Sequence, residues 1–481
     1  MVGDRSQMLD KFERITALRP ARKRIAVDDG PRQRAAEGDD LAELLGATVE
    51  RNRYGEHLVV RRWYSSPEPC AATPDAVRLL LPPVAGRAKR GTGSSMSYDE
   101  LADPARWLFL DTETTGLAGG TGTYAFLVGV AWWEAGGLQV EQFFMRDHGE
   151  EHAVLTALNE RLAERGVLVT FNGKSFDWPL LETRYTMTRA IHPRAPAAHL
   201  DLLHPARQLW KLRLGSVRLS ELERHVLGAE RLGWSRQRDI DSALIPQIYF
   251  DYLRGASPEP LAGVFQHNQM DLRGLAALAG RIFGLLQTAE QVTQRDASSR
   301  QAGTPHDRSK VDGLELFGLS RMHQRRGEAA RAQRLYERAI GAGLPRGVDA
   351  SARRELALLA RRQGDYARAA GLWEELVGAQ HAAPLQRQDG KSRRAWYEEV
   401  HAIEALEQLA IHYEHRAREP HRAAEHARAA HLELRRALRL GLIEPARGRK
   451  LQGRLEHRLA RLERKGGQIG RLLERAAGAP S

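Results

Sequence analysis

Trp107 to Leu117 read WLFLDTETTGL, an apolar run followed by two acids two positions apart. The apolar run predicts a buried β-strand. Side chains at i and i+2 of a strand project from one face, so Asp111 and Glu113 present two carboxylates together at its C-terminal end. Two carboxylates held that close repel each other, and a divalent cation relieves the conflict. An all-oxygen ligand set suits Mg²⁺ or Mn²⁺.

Downstream of this strand, TYAFLVGVAWW (123–133) and LQVEQFFM (138–145) predict two more strands joined by EAGG, so three successive strands pair antiparallel. EEHAVLTALNERLAERG (150–166) predicts a helix closed by Gly166, followed by the strand VLVTF (167–171) and a helix over 176–187. Further helices are expected after Ser220, where SELE offers a capping box with Glu223, and from Pro258 to about residue 286. The pattern is a mixed α/β sheet over residues 101–286. Upstream, residues 1–40 read as a mobile leader. Residues 41–100 read as a small accessory element, with two strands about a turn at Asn52–Gly55, and linkers.

Residues 287–310 are polar and aperiodic, which predicts a linker, and residues 311–481 are nearly all helical in pattern. RRGEAARAQRLYERAI (325–340) and RRQGDYARAAGLWEELV (361–377) share small-residue and aromatic positions, and EPHRAAEHARAAHLELRRAL (419–438) is a degenerate third copy. With glycine in the expected inter-helix turn at Gly327 and Gly364, these segments resemble tetratricopeptide repeats, whose period is about 34 residues. Such a solenoid suits a protein partner.

Two further motifs join the first. FNGKSFDWPLL (171–181) carries Asn172, Lys174 and Asp177 on a turn into a helix, where backbone N–H groups and a cation can meet a phosphate. HNQMDLRGL (267–275) places His267 and Asp271 at i and i+4 on one helical face. In that order the three motifs resemble the exonuclease motifs of the DEDD (DnaQ-like) superfamily on a ribonuclease H-like fold. Joined to a helical tail, DTETTGLAGGTGTYAFLVGVAWW resembles the YprB-type bacterial ribonuclease H-like proteins. The resemblance spans about residues 105–286.

It implies a metal-dependent nuclease, a 3′–5′ exonuclease working with two Mg²⁺ or Mn²⁺ ions on DNA or RNA. Asp111, Glu113, Asp177 and Asp271 would be the metal-binding acids, Asp111 bridging the ions, and His267 the general base. Thr112, Thr115, Asn172 and Lys174 would contact substrate, although Lys174 reads equally as an exposed lysine at a helix start. One departure stands out. The superfamily's histidine subtype has four residues between His and the last Asp, whereas here there are three, so His267 occupies the slot of the tyrosine subtype.

Other features read structurally. GGTGT (119–123) lacks the P-loop pattern and no helix follows it. Trp132 and Trp133 fall inside a strand and read as core, and Asp201 reads as a cap. Lys and Arg total 73 against 61 Asp and Glu, and the surplus lies in residues 291–481. A basic surplus invites a polyanion, but solvated helical faces give the same composition. A lone cysteine, Cys70, excludes intrachain disulfides and a Cys-based zinc site, and no apolar run approaches a membrane span, so a cytoplasmic protein is expected. Two other readings stay open: a catalytically idle nucleic-acid-binding scaffold, and an endonuclease on hybrid or structured nucleic acid.

Overall fold

The computed structural model describes residues 40–65, 71–81, 96–116, 121–134, 136–232, 236, 239–298, 311–381 and 393–477. Almost all of the expected leader, residue 40 apart, and most of the second upstream linker lie outside these residues. The sheet domain contains, in chain order, β1 (Thr48–Asn52), β2 (Gly55–Ser65), α1 (Pro74–Leu80), α2 (Tyr98–Ala102), β3 (Trp107–Thr114), β4 (Ala125–Glu134) and β5 (Gly137–Phe144). It continues with α3 (Glu151–Arg165), β6 (Val167–Thr170), α4 (Asp177–Thr188), β7 (Ala198–Asp201), α5 (Leu203–Leu214), α6 (Leu219–Leu222), α7 (Ile245–Leu253) and α8 (Glu259–Ser298).

Seven strands form one sheet in the order β1-β2-β5-β4-β3-β6-β7. Neighbours from β1 through to β3 run antiparallel, whereas β3, β6 and β7 are parallel. The expected antiparallel trio is therefore present. The hairpin read as an accessory element extends this sheet, because β2 pairs with β5 from Leu58 opposite Phe144 to Ser65 opposite Gly137.

β3 sits near the centre and is apolar through Leu110, since helices cover both its faces. On one face Trp107 and Phe109 pack with Leu272, Leu275 and Phe283 of α8, and on the other Leu108 and Leu110 pack with Val154, Leu155 and Leu158 of α3. β6 pairs with β3 only from Trp107 to Phe109. Beyond Phe109 the strand thus loses its neighbour on that side, and the edge opens where Asp111 and Glu113 begin. Trp132 is buried, as expected, with Arg161 and Arg165 over its ring.

Gly166 ends α3 in the left-handed conformation at φ 81°, as its position predicts. Two other expectations need correction. The SELE segment forms no capping box: Arg218 precedes α6 without a side-chain cap, and Glu223 opens a π-helical turn, buried and paired with Arg236. The helix expected to end near residue 286 runs to Ser298, so residues 287–298 of the expected linker are helical and 299–310 lie outside the described residues.

The remaining chain is helical: α9 (Gly313–Arg325), α10 (Ala329–Gly341), α11 (Arg346–Arg362), α12 (Tyr366–His381), α13 (Arg393–His415), α14 (Pro420–Arg439) and α15 (Pro445–Ala477). Gly327 and Gly364 take left-handed turns at φ 79° and 83° between paired helices, while Arg418 fills the third such turn at φ 58°. Buried alanines such as Ala332, Ala357, Ala423 and Ala427 let the helices approach closely. The first pair is continuous with the sheet core through Leu316, Phe317 and Tyr336, and Trp210 Nε1 of α5 donates to Glu315 Oε1 at 2.8 Å. Among the described residues no helix is long and apolar enough to cross a membrane.

Candidate active site

The open end of β3 meets the middle of α8. Asp111 and Glu113 point to the α8 side of the sheet, where Asn268 Nδ2 donates to Asp111 Oδ2 at 2.8 Å and His267 Nε2 lies 4.0 Å from Glu113 Oε1. One helical turn on, Asp271 Oδ2 lies 3.6 Å from the same Nε2. Thr112 faces the other way and its hydroxyl donates to Asp177 Oδ1 at 2.6 Å, which draws the first residue of α4 to the strand end. The four acids and His267, spread over some 160 residues of chain, thus act on one another.

Burial and mutual repulsion dominate the electrostatics. The Asp111 carboxyl is held well above the usual carboxylate range by burial and by the charges of Asp271, Glu113 and Asp177. Burial, with Asp271, Asp177 and Asp239, pushes Glu113 up to about 8 despite the opposing pull of His267. Asp177 is raised by burial, which outweighs its bonds from Thr112. Groups pushed this way are short of positive charge.

Positive charge reaches Asp271 from Arg236, which the sequence did not mark out. Its Nη1 donates to Asp239 Oδ2 at 2.8 Å, its Nη2 to Glu223 Oε1 at 2.7 Å, and Nη2 also donates to Asp271 Oδ1. Asp239 was missed as well. Its Oδ1 lies 2.8 Å from His267 Nδ1, and its carboxyl is held below the usual range because His267 and Arg236 outweigh its burial. Burial alone would lower the His267 pKa, but the Asp239 bond and the charges of Asp271 and Glu113 hold it above the ordinary imidazole value. RQRDI (236–240) carries no periodic or motif signal that would have singled out these two residues.

The loop from β6 into α4 is tied from below. Asp201, buried at the end of β7, accepts from the backbone N–H groups of Asn172 and Lys174 at 2.8 and 3.1 Å and from Leu203 N at 3.1 Å, so it caps as the sequence suggested. Asn172 takes a left-handed φ of 70°, and Gly173 passes so near Thr170 that a Cβ would stand 2.5 Å from the threonine Cβ. The Lys174 side chain is exposed at the mouth of this loop. Thr115 accepts from Tyr124 N at 2.9 Å. The hydroxyls of both Thr112 and Thr115 are therefore engaged within the protein.

Residues 108–283 match the RNase_H_2 profile of the RNase_H superfamily. The sheet domain is ribonuclease H-like and a helical domain follows it. A Bacillus subtilis (strain 168) protein named uncharacterized protein YprB is 40% identical over 173 residues, which is 35% of this chain. The chain spans 40% of that relative's length. Ribonuclease H-like nucleases typically use divalent metals.

The donor chemistry fits such ions: four half-buried carboxylates, all oxygen ligands, three of them (Asp111, Glu113 and Asp177) pushed upward for want of cations. Among the described residues no group of three or more His, Cys, Asp or Glu side chains is already arranged as a ligand set. Asp271 is instead paired with Arg236, which also binds Glu223 and Asp239. An ion at Asp271 has to compete with that guanidinium.

Proposed function

We propose that this protein is a metal-dependent phosphodiesterase on DNA or RNA, a 3′–5′ exonuclease whose ions are held by Asp111, Glu113, Asp177 and Asp271. The observation that carries the reading is the grouping of these four half-buried acids with His267 at the open end of β3. Mg²⁺ or Mn²⁺, as a pair, would neutralise charge at phosphorus and ease departure of the leaving oxygen.

The chain's own groups supply the rest. Asp239, held ionised, accepts from Nδ1–H of His267, so that in the neutral imidazole Nε2 carries no proton and faces Glu113 and Asp271. Nε2 is then the atom that takes the proton of the attacking water, a step worth about 10²–10⁴-fold. Asn172 and Lys174, on the capped loop before Asp177, offer an amide and an ammonium to a neighbouring phosphate. The helical domain is proposed to bind a protein partner or to guide substrate.

The test is incubation with 5′-labelled single-stranded DNA and RNA in Mg²⁺, Mn²⁺ or EDTA, using wild type and Asp111→Asn. Metal-dependent shortening from the free 3′ end, lost in the variant and on 3′-blocked substrate, is expected. Cleavage of end-blocked substrate would point to internal cutting, and equal rates for the two proteins would remove the metal assignment.

A further inference from the structure

Asp111 takes its hydrogen bond from the residue that follows His267. Asn268 is fully buried; its Nδ2 lies 2.8 Å from Asp111 Oδ2 and 3.3 Å from the Asp111 carbonyl oxygen. Behind it, Gln142 Nε2 donates to Asn268 Oδ1 at 2.8 Å and to the Phe265 carbonyl at 2.9 Å. Gln142 Oε1 accepts from Gln269 Nε2 at 2.7 Å, and the Tyr64 hydroxyl donates to Gln269 Oε1 at 2.9 Å.

The direction of this chain is forced. A side-chain amide can flip, but a backbone carbonyl only accepts. The Phe265 carbonyl therefore fixes the NH₂ of Gln142 on its side. That NH₂ in turn requires the oxygen of Asn268, and the NH₂ of Asn268 is left facing Asp111. Space for the arrangement comes from Gly129 on β4, where a Cβ would stand 2.0 Å from Asn268 Oδ1. No left-handed φ is involved here, so this glycine serves close approach alone.

We infer that Asn268, oriented by Gln142 and admitted by Gly129, is a positioning residue that pins Asp111 Oδ2 and presents the other oxygen, Oδ1, to a divalent cation. The inference rests on the metal-dependent reading above. Partners that orient a metal-binding carboxylate are typically worth 10–100-fold in metal affinity or activity.

The experiment uses the full chain and two readouts: the Mn²⁺ concentration giving half-maximal rise in melting temperature, and that giving half-maximal hydrolysis of a labelled oligonucleotide. Asn268→Leu keeps the side chain's size and loses the donor. It should melt near wild type in EDTA yet need about 10–100-fold more Mn²⁺ in both readouts. Gln142→Met leaves Asn268 in place but frees its amide to turn, and should shift both readouts in the same direction by less. If Asn268→Leu fails to fold, Gln142→Met decides alone. Wild-type Mn²⁺ dependence in the folded variants, beside loss of both responses in Asp111→Asn, overturns the positioning role and leaves the nuclease reading standing. A wild-type protein with neither Mn²⁺-dependent stabilisation nor hydrolysis overturns both.

Discussion

Asp239 Oδ1 lies 2.8 Å from Nδ1 of His267, and the other oxygen of the same carboxylate accepts from Arg236 Nη1 at 2.8 Å. One carboxylate thus serves both side-chain donors, and its Oδ1 also accepts from the Ile240 backbone N–H at 3.0 Å. Asp239→Asn has a predictable result. Arg236 is charged and can only donate, so the new amide turns its oxygen to Arg236 and its NH₂ to Nδ1, giving up the neutral bond from Ile240 N. Nδ1 then becomes the acceptor and the proton moves to Nε2, where it blocks proton abstraction. Hydrolysis should fall by about 10²–10⁴-fold, as for His267→Ala, with substrate KM little changed. Steady-state rates of both variants check this, and an Asp239→Asn enzyme at wild-type rate would falsify the tautomer argument.

Burial and mutual repulsion push the carboxyls of Asp111, Glu113 and Asp177 upward, so removing one charge should relieve the apo protein while weakening ion binding. Asp111→Asn is expected to melt at or above wild type in EDTA and to lose most of the rise produced by millimolar Mn²⁺. The size of that rise follows mass action, about 2.7 kcal/mol at one hundred times the dissociation constant. Thermal melts of the two proteins with and without Mn²⁺ measure it.

Much of the sheet domain was legible because its signals are local. The apolar run before Asp111 spelled a covered strand, and the glycine after Arg165 spelled a helix end. The acids could be found because i, i+2 on a strand and i, i+4 on a helix fix which side chains share a face. Asp239 and Arg236 could not, since an irregular loop has no period and their roles exist only once α8 lies across the sheet. The SELE segment misled for a related reason: Glu223 fits a capping box locally, but burial beside Arg236 outweighs a cap worth about 1 kcal/mol. Asn268 stood inside a quoted motif. Its part depends on Gly129 and Gln142, which are distant in sequence.

The helical domain carries its own pH dependence. Glu414 of α13 has a side chain only 1% exposed, and it accepts from Arg458, Arg461 and Lys465 of α15. Burial would raise its pKa, but these cations, led by Arg461, hold it down at about 2 against an ordinary 4.5. A carboxyl depressed on folding contributes stability that is present above the ordinary value and lost as pH falls from 4.5 toward 2. Glu414→Gln should therefore cost about 3 kcal/mol near neutral pH and flatten the stability profile between those limits. Denaturant melts across pH 2 to 7, both proteins compared, test the sign and the window.

The last expectation concerns the basic surplus of the C-terminal region. Cutting the chain there would open the core that Leu316, Phe317 and Tyr336 share with Phe283, so truncation confuses charge with folding. Exposed cations can be removed in place. Arg435 and Arg439 on α14, with Arg449 and Lys450 on α15, are solvent-facing and have no ion-pair partner among the described residues within 4.0 Å. If residues 311–481 grip nucleic acid, each phosphate they neutralise adds about 0.7–0.9 to the slope of log affinity against log salt. Replacing all four with glutamine, in an Asp111→Asn background that prevents cleavage, should then weaken binding at low salt and reduce the slope by up to about 3.6. Solvated faces on a partner-docking domain predict the original slope, because charges that touch no phosphate release no counterions. Salt titrations of the two proteins on one labelled oligonucleotide separate these accounts, and parallel lines would assign the surplus to solvation.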